Sequence, residues 1–355
     1  MSSKFIGPIL HRRAILGGAL AGAAGLIAMP HVARAQSYKA EYKMSVVGNR
    51  PLGTSEAAFR WAELVGERTQ GRVNIKVYPG SQLVGGDQTR ELIAMRQGII
   101  DCTVSSTINV AAQIKEMNLF SLPFLMPDSA AFDALTQSGD VRTALDAVFL
   151  RRDSVALAWS ENGFRQLSNA RRDVRKPADM HGLKIRYAAG PIFADIFTAL
   201  GANPLQMSWA DLQPALATGA VDGQETPINV FLQSKLDALA QRHLSVWNYV
   251  ADANVFQFGK AAFEGFTPAD REIIRAAAAQ AASEHTASSR AGLGNNGDRA
   301  SFDELAKRNV TVAELTESEK AAFQTATRAV FEKWSPQVGT DLVAKAEAAV
   351  AKRNG

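Results

Sequence analysis

Cysteine is nearly absent from this chain: Cys102 is the single one among 355 residues, so no internal disulfide can form. Histidine is also scarce, with five in all. Beyond residue 35 only His181, His243 and His285 remain, widely spaced and without a neighbouring cysteine, which argues against a zinc site. No nucleophile elbow, zinc-protease helix motif, CxxC pair, phosphate-binding loop or EF-hand loop occurs, so the common enzyme templates find no purchase. With 27 Gly and 13 Pro the composition is neither collagen-like nor of low complexity, and 46% hydrophobic residues exclude a disordered chain. After residue 35 no apolar run is long enough to span a membrane.

Acidic residues are missing from one place. The first 35 residues hold Lys4, Arg12, Arg13 and Arg34 and no Asp or Glu. The formal charge of +4 resides there, because 39 basic residues less these four leaves 35 against 35 acidic ones. The remainder is neutral, and nucleic-acid binding by a basic face loses its compositional support. Residues 1–35 read as an export signal: paired Arg12 and Arg13, an apolar stretch of about 15 residues from Ala14 to Met29, and Ala33-Arg34-Ala35 as a small-x-small cleavage site. His11-Arg12-Arg13-Ala14-Ile15-Leu16 resembles a twin-arginine signal, which implies export of a folded protein; an ordinary secretory signal or an uncleaved anchor is the alternative. Cleavage before Gln36 leaves 320 residues, expected in the periplasm, and Cys102 lies too far from that new end to carry a lipid anchor.

A chain of this length predicts two domains or one elaborated one. From residue 40 strands and helices alternate. The pattern predicts strands at Tyr42 to Val47, Val73 to Tyr78 and Asp101 to Ser105, and helices at Ser55 to Thr69 and Asp87 to Gln97. This is βαβαβ, the signature of a largely parallel sheet. It restarts with strands at Val155 to Trp159, Leu183 to Tyr187, Pro204 to Met207 and Val221 to Gln224, and helices at Pro191 to Leu200 and Trp209 to Thr218. Ala94-x3-Gly98-x2-Asp101 is echoed by Ala215-x3-Gly219-x2-Asp222, which fits two similar lobes. After about residue 225 the pattern predicts mainly helix. Cys102 falls in a short apolar strand, where a buried inert thiol is expected rather than a nucleophile.

In the strand Leu183 to Tyr187, Lys184 and Arg186 share the face opposite Leu183 and Ile185, and Arg186 stands at the carboxyl end. That end faces the ligand crevice in open α/β sheets, and a guanidinium there offers a fork matched to a carboxylate; a solvated rim arginine fits the same pattern. Four segments stand around it: Asn162-Gly163-Phe164-Arg165, Pro177-Ala178-Asp179-Met180-His181-Gly182-Leu183-Lys184-Ile185-Arg186, Gly201-Ala202-Asn203-Pro204 and Val221-Asp222-Gly223-Gln224-Glu225. Earlier come Tyr78-Pro79-Gly80-Ser81-Gln82-Leu83 and Leu119-Phe120-Ser121-Leu122-Pro123-Phe124. At this order and spacing they resemble the extracytoplasmic substrate-binding proteins of tripartite ATP-independent periplasmic (TRAP) transporters, over essentially the whole chain after residue 35.

The resemblance implies a two-lobed α/β periplasmic binding-protein fold, with strands crossing at a hinge and a long connecting helix, closing over a small organic acid for delivery to the transporter's membrane subunits. Lobe I is expected at 36–160 with about 250–290, and lobe II at 161–249 with about 291–355. The family's carboxylate-binding arginine falls on Arg186, its frequent second arginine on Arg165, and its ligand-packing aromatic on Trp209. Thr226 stands where the family often has Asn; it keeps a hydroxyl but loses the amide fork. Asn49, Ser106 and Thr107 match places where family members set ligand-reading groups. Phe120 and Phe124 are expected in core or hinge packing. No cofactor, catalytic residue or metal ligand is expected. The alternatives are a periplasmic enzyme or a ligand-sensing receptor on the same scaffold.

Overall fold

The computed structural model describes residues 38–137, 139–294 and 297–353, so the expected export signal lies outside the described residues. The strands are β1 (Tyr42–Val46), β2 (Ile75–Tyr78), β3 (Cys102–Ser106), β4 (Ser154–Asn169), β5 (Lys184–Tyr187), β6 (Asn203–Gln206), β7 (Gly223–Pro227), β8 (His243–Val246), β9 (Ala251–Gly259) and β10 (Thr311–Glu314). They join in one sheet of order β2-β1-β3-β9-β4-β7-β5-β6, with β8 added along β4 and β10 on β8. β1 pairs parallel with β2 and β3, and β5 pairs parallel with β6 and β7. The strands between them, β9 and β4, run antiparallel to each other and to β3 and β7. Two parallel βαβαβ units therefore face each other across a pair of crossing strands, which is the two-lobed α/β architecture expected.

The sequence echo has a structural cause. Each motif ends its helix on a glycine with positive φ, +72° at Gly98 and +70° at Gly219, a conformation only glycine adopts without strain. The following aspartates then repeat one pattern of bonds. Asp101 accepts the Lys43 backbone N–H at 2.8 Å while its own N–H donates to the Lys43 carbonyl at 2.8 Å. Asp222 does the same with Lys184, at 2.9 and 2.8 Å. A base neutralises the outer oxygen in each case, Lys39 for Asp101 and Arg171 for Asp222. The early Asp thus clamps the start of the third strand to the start of the first in both units.

β4 is longer than the apolar segment Val155 to Trp159 predicts. It runs on to Asn169, pairing with β9 through Phe164 and with β7 from Arg165. At the changeover the register shifts between Glu161 and Gly163. Gly163 has φ +123°, and a Cβ there would stand 2.9 Å from the Pro227 Cβ, so the kink needs glycine twice over. After residue 225 the chain is mainly helical, as expected, but β8, β9 and β10, which the pattern did not predict, also lie there. β9 is buried along all nine of its residues, so its pattern does not alternate with a solvent face.

The 23-residue helix Pro268–Arg290 begins with Thr267 accepting the Asp270 N–H and with proline in its first turn. It packs on β4 and on the helix Gly53–Arg68. Its buried face is Ala277, Ala278, Ala281 and Ala282, small enough to let both neighbours approach closely. Trp61 is fully buried there, edge-on to Phe256 and Phe258 at 5.6 and 5.7 Å. This is the connecting helix expected. Cys102 is fully buried, and burial pushes its thiol well above the ordinary range. No described helix is long and apolar enough to cross a membrane.

Candidate functional site

Facing parallel units bring the carboxyl ends of their strands together. The residues there enclose a cavity of about 80 Å³: Val47 and Gly48 after β1, Ser106 at the end of β3, Arg186 and Ala188 from β5, and Thr226 in β7. The crossing strands supply Asn162, Arg165, Asp252 and Asn254 to its wall. Trp209 opens the helix Trp209–Thr218, capped by Ser208, and also lines the cavity. Its backbone N–H donates to Gln88 Oε1 at 3.2 Å, joining the two units across the cavity.

The two arginines differ in what they touch. Arg165 is 5% exposed, and every nitrogen of its guanidinium has a partner. Nε and Nη2 grip the Glu225 carboxylate, Nη2 also donates to the Glu225 carbonyl at 2.6 Å, and Nη1 donates to Asp252 Oδ2 at 2.6 Å. Burial pulls its pKa down, but the charges of Glu225 and Asp252 more than reverse this, so it stands above the ordinary value. Tyr249 donates to Glu225 Oε2 at 2.9 Å, and burial, reinforced by the Glu225 charge, pushes its phenol well up. Arg165 is thus tied to Glu225 and Asp252, while it also lines the cavity and uses only one of the two N–H groups on Nη1.

Arg186 is 1% exposed and forms no ion pair among the described residues. Its Nε donates to the Met207 carbonyl at 3.0 Å, its Nη2 is buried without an acceptor, and its guanidinium lies 5.8 Å from the Trp209 ring centre. Burial lowers its pKa to about 10; the charge of Glu225 works against this and that of Arg165 with it. It remains cationic at neutral pH, at a desolvation cost that an arriving anion would offset.

Of the other expected residues, Thr226 and Ser106 line the cavity. The Ser106 hydroxyl proton is committed to Asp252 Oδ1 at 2.5 Å, while its oxygen accepts the Ile108 N–H. Asn49 is exposed and outside the lining, which takes Gly48 from the same loop. Thr107 is buried but not in the wall, because the helical turn it starts turns Ile108 and Asn109 inward instead. Phe120 stacks on Trp159 at 5.5 Å and Phe124 meets Trp247 edge-on, both away from the cavity. Sequence reasoning missed Thr54, Gln88, Asn162, Asp252 and Asn254. For Asp252 and Asn254 the signal was present, two polar residues at i and i+2 in the apolar run Ala251 to Phe258. No group of three or more His, Cys, Asp or Glu among the described residues could hold a metal.

A closed cleft between two α/β units, walled by polar side chains and carrying one unpaired buried cation, defines a binding protein for a small anion. The chain belongs to the bacterial extracellular solute-binding protein family 7, whose model matches residues 49–337. It is similar at 51% identity to a TRAP periplasmic solute-binding protein from Ralstonia eutropha, solved with bound (S)-2-hydroxy-2-methyl-3-oxobutanoate; that match covers 89% of this chain and all of the other, with a TM-score of 0.87. A second solved TRAP protein, from Shewanella oneidensis with bound succinate, is 25% identical over 87% of this chain and 98% of its own, with a TM-score of 0.79. The 2,3-diketo-L-gulonate-binding periplasmic protein YiaO of Escherichia coli is 33% identical over 247 residues, 70% of this chain and 73% of that one. The chain is therefore a TRAP solute-binding protein for organic acids, and its family is one of transport rather than catalysis.

Proposed function

We propose that the protein captures a small organic acid in the periplasm through Arg186 and hands it unchanged to the membrane subunits of a TRAP transporter. The observation that carries this reading is the buried Arg186 guanidinium with an unused Nη2 in the cavity wall. A carboxylate docking there regains the electrostatic support that burial removed, and the Trp209 ring covers the ligand's apolar face. Thr226 and Ser106 assist from the ends of β7 and β3, and Arg165 holds the wall in register. Lobe I comprises 36–160 with about 250–290, lobe II 161–249 with about 291–355, and the Trp209–Gln88 bond is a contact that favours closure. The ligand of the Ralstonia relative is the first acid to try, and the cavity of about 80 Å³ suits an acid of that size.

Native mass spectrometry of protein purified from its own host identifies the acid carried along, and calorimetry with (S)-2-hydroxy-2-methyl-3-oxobutanoate and succinate gives the affinities. Failure to bind any carboxylate, with the protein folded, overturns the reading. Export rests on Arg12, Arg13 and Ala33-Arg34-Ala35; the exported protein should begin at Gln36, which an intact mass decides.

A further inference from the structure

Four side chains in and beside the cavity wall form a hydrogen-bond chain with a fixed direction. It starts at Asp252, whose carboxylate can only accept. Asn162 must therefore turn its Nδ2 toward Asp252 Oδ2, at 3.0 Å, which leaves Asn162 Oδ1 facing Thr54. An amide oxygen accepts only, so the Thr54 hydroxyl must donate to it, at 3.3 Å. The Thr54 oxygen then accepts from Asn254 Nδ2 at 2.9 Å. Asn254 Oδ1 is left over. It is buried without any donor, on a residue 1% exposed that lines the cavity. Partners distinguish an amide's nitrogen from its oxygen, and here a charged, acceptor-only group anchors the whole sequence.

Among the cavity-lining residues two fully buried side-chain atoms are left without a partner, and they are of opposite kind, the Arg186 Nη2 donor and the Asn254 Oδ1 acceptor. A simple carboxylate answers the first and offers nothing to the second. We infer that Asn254, oriented through Thr54 and Asn162, is the specificity residue that selects carboxylates bearing a hydroxyl donor over their deoxy analogues. This rests on the carboxylate reading of Arg186. An ammonium is the poorer occupant: it needs three acceptors and a countercharge, whereas Asp252 is already engaged by Ser106, Asn162 and Arg165.

Three acids of one shape test it: 2-hydroxy-3-methylbutanoate, 3-methylbutanoate and 2-amino-3-methylbutanoate, each titrated calorimetrically into the mature protein. The hydroxy acid is expected to bind roughly tenfold or more tighter than the deoxy acid, because a buried acceptor left unmade is costly. Asn254→Ala should bring that ratio to within about twofold. Thr54→Val, which frees the Asn254 amide to turn over, should do likewise, and Thr54→Ser should preserve the parent ratio. Equal binding of hydroxy and deoxy acids by the parent overturns the inference and leaves the Arg186 reading standing. So does a preference for the amino acid, or an Asn254→Ala variant that weakens all three acids alike. If none of the three binds the folded protein, the inference is overturned, and the carboxylate reading is decided separately by (S)-2-hydroxy-2-methyl-3-oxobutanoate and succinate.

Discussion

The two βαβαβ units put different chemistry on the same scaffold position. Two residues after the clamped lysine, the first unit has Ser45 and the second Arg186. Ser45 donates to Glu91 at 2.8 Å, and Ser81 and Thr103 donate to the same carboxylate at 2.9 and 3.2 Å. The second unit, aligned on its Ala-x3-Gly-x2-Asp motif, has fully buried Leu212 in place of Glu91. The first unit therefore satisfies its buried polar group internally, whereas the second carries a cation with no acid supplied. By the same alignment Gln88 corresponds to Trp209, and these two meet across the cleft. One plan thus yields a half whose buried carboxylate is met by three hydroxyls and a half whose buried guanidinium is met by no carboxylate.

Arg186 and Arg165 give the largest effects, and they should separate cleanly. Arg186→Ala removes the ligand's partner, a loss of roughly 3 to 5 kcal/mol, or about two to four decades in affinity by calorimetry. Arg186→Lys should fail nearly as badly, because an ammonium lacks the planar fork. The unliganded melting temperature of Arg186→Ala should hold or rise, since an unpaired buried charge has gone. Arg165→Ala should do the reverse to the fold. It strands Glu225 and Asp252 and costs roughly 3 to 5 kcal/mol in urea unfolding. A folded Arg186→Ala that binds within about tenfold of the parent would erase the distinction between the halves.

The internal satisfaction of the first unit is imperfect, and pH exposes it. Burial pushes Glu91 from 4.5 up to about 7, with the three hydroxyls pulling the other way. Because the folded value is raised, the folded state binds more protons than the unfolded one between those limits. Stability is full below about pH 4.5 and is lost as pH rises through about 7. A shift of that size amounts to on the order of 3 kcal/mol. Glu91→Gln should flatten this part of the pH dependence in urea titrations at pH 4.5, 6 and 8. The second unit, with Leu212, contributes no such slope.

Where local pattern and tertiary role agreed, the sequence was readable. The strand predicted at Tyr42 to Val47 is β1 to within a residue, the helix Trp209–Thr218 has the predicted limits, and the paired glycine-aspartate motifs make the paired clamps. Arg186 was readable because strand alternation fixes its face and its end position fixes its neighbourhood. β4 was not, since Ser160, Glu161, Asn162, Arg165, Gln166, Ser168 and Asn169 look like a loop until distant partners bury them. Glu161, for instance, is held by Arg290 across 129 residues. β9 was missed although its apolar run Ala251 to Phe258 carries a strand signal, and with it went Asp252 and Asn254. No local pattern could give Arg165 its partners Glu225 and Asp252, because they lie 60 and 87 positions away.

The finest test of the comparison is at Thr226. Its counterpart, four residues past the clamping aspartate, is Ser105, whose hydroxyl accepts the Gln257 side-chain amide at 2.9 Å. Thr226 has the same backbone setting but lines the cavity and is 3% exposed. A hydroxyl is thus committed internally in one unit and belongs to a cavity-lining residue in the other. Thr226→Asn lengthens the side chain and replaces one hydroxyl with an amide that can both donate and accept. The added group competes for cavity space, so it should reorder a panel of mono- and dicarboxylates by on the order of 1 kcal/mol, the size of one neutral hydrogen bond, without abolishing binding. Ser105→Ala should instead cost about 1 kcal/mol of stability and leave the ranking unchanged. Were Thr226→Asn to leave the ranking unchanged as well, Thr226 would stand outside the ligand's reach, and the second unit would read its ligand through Arg186 and Trp209 alone.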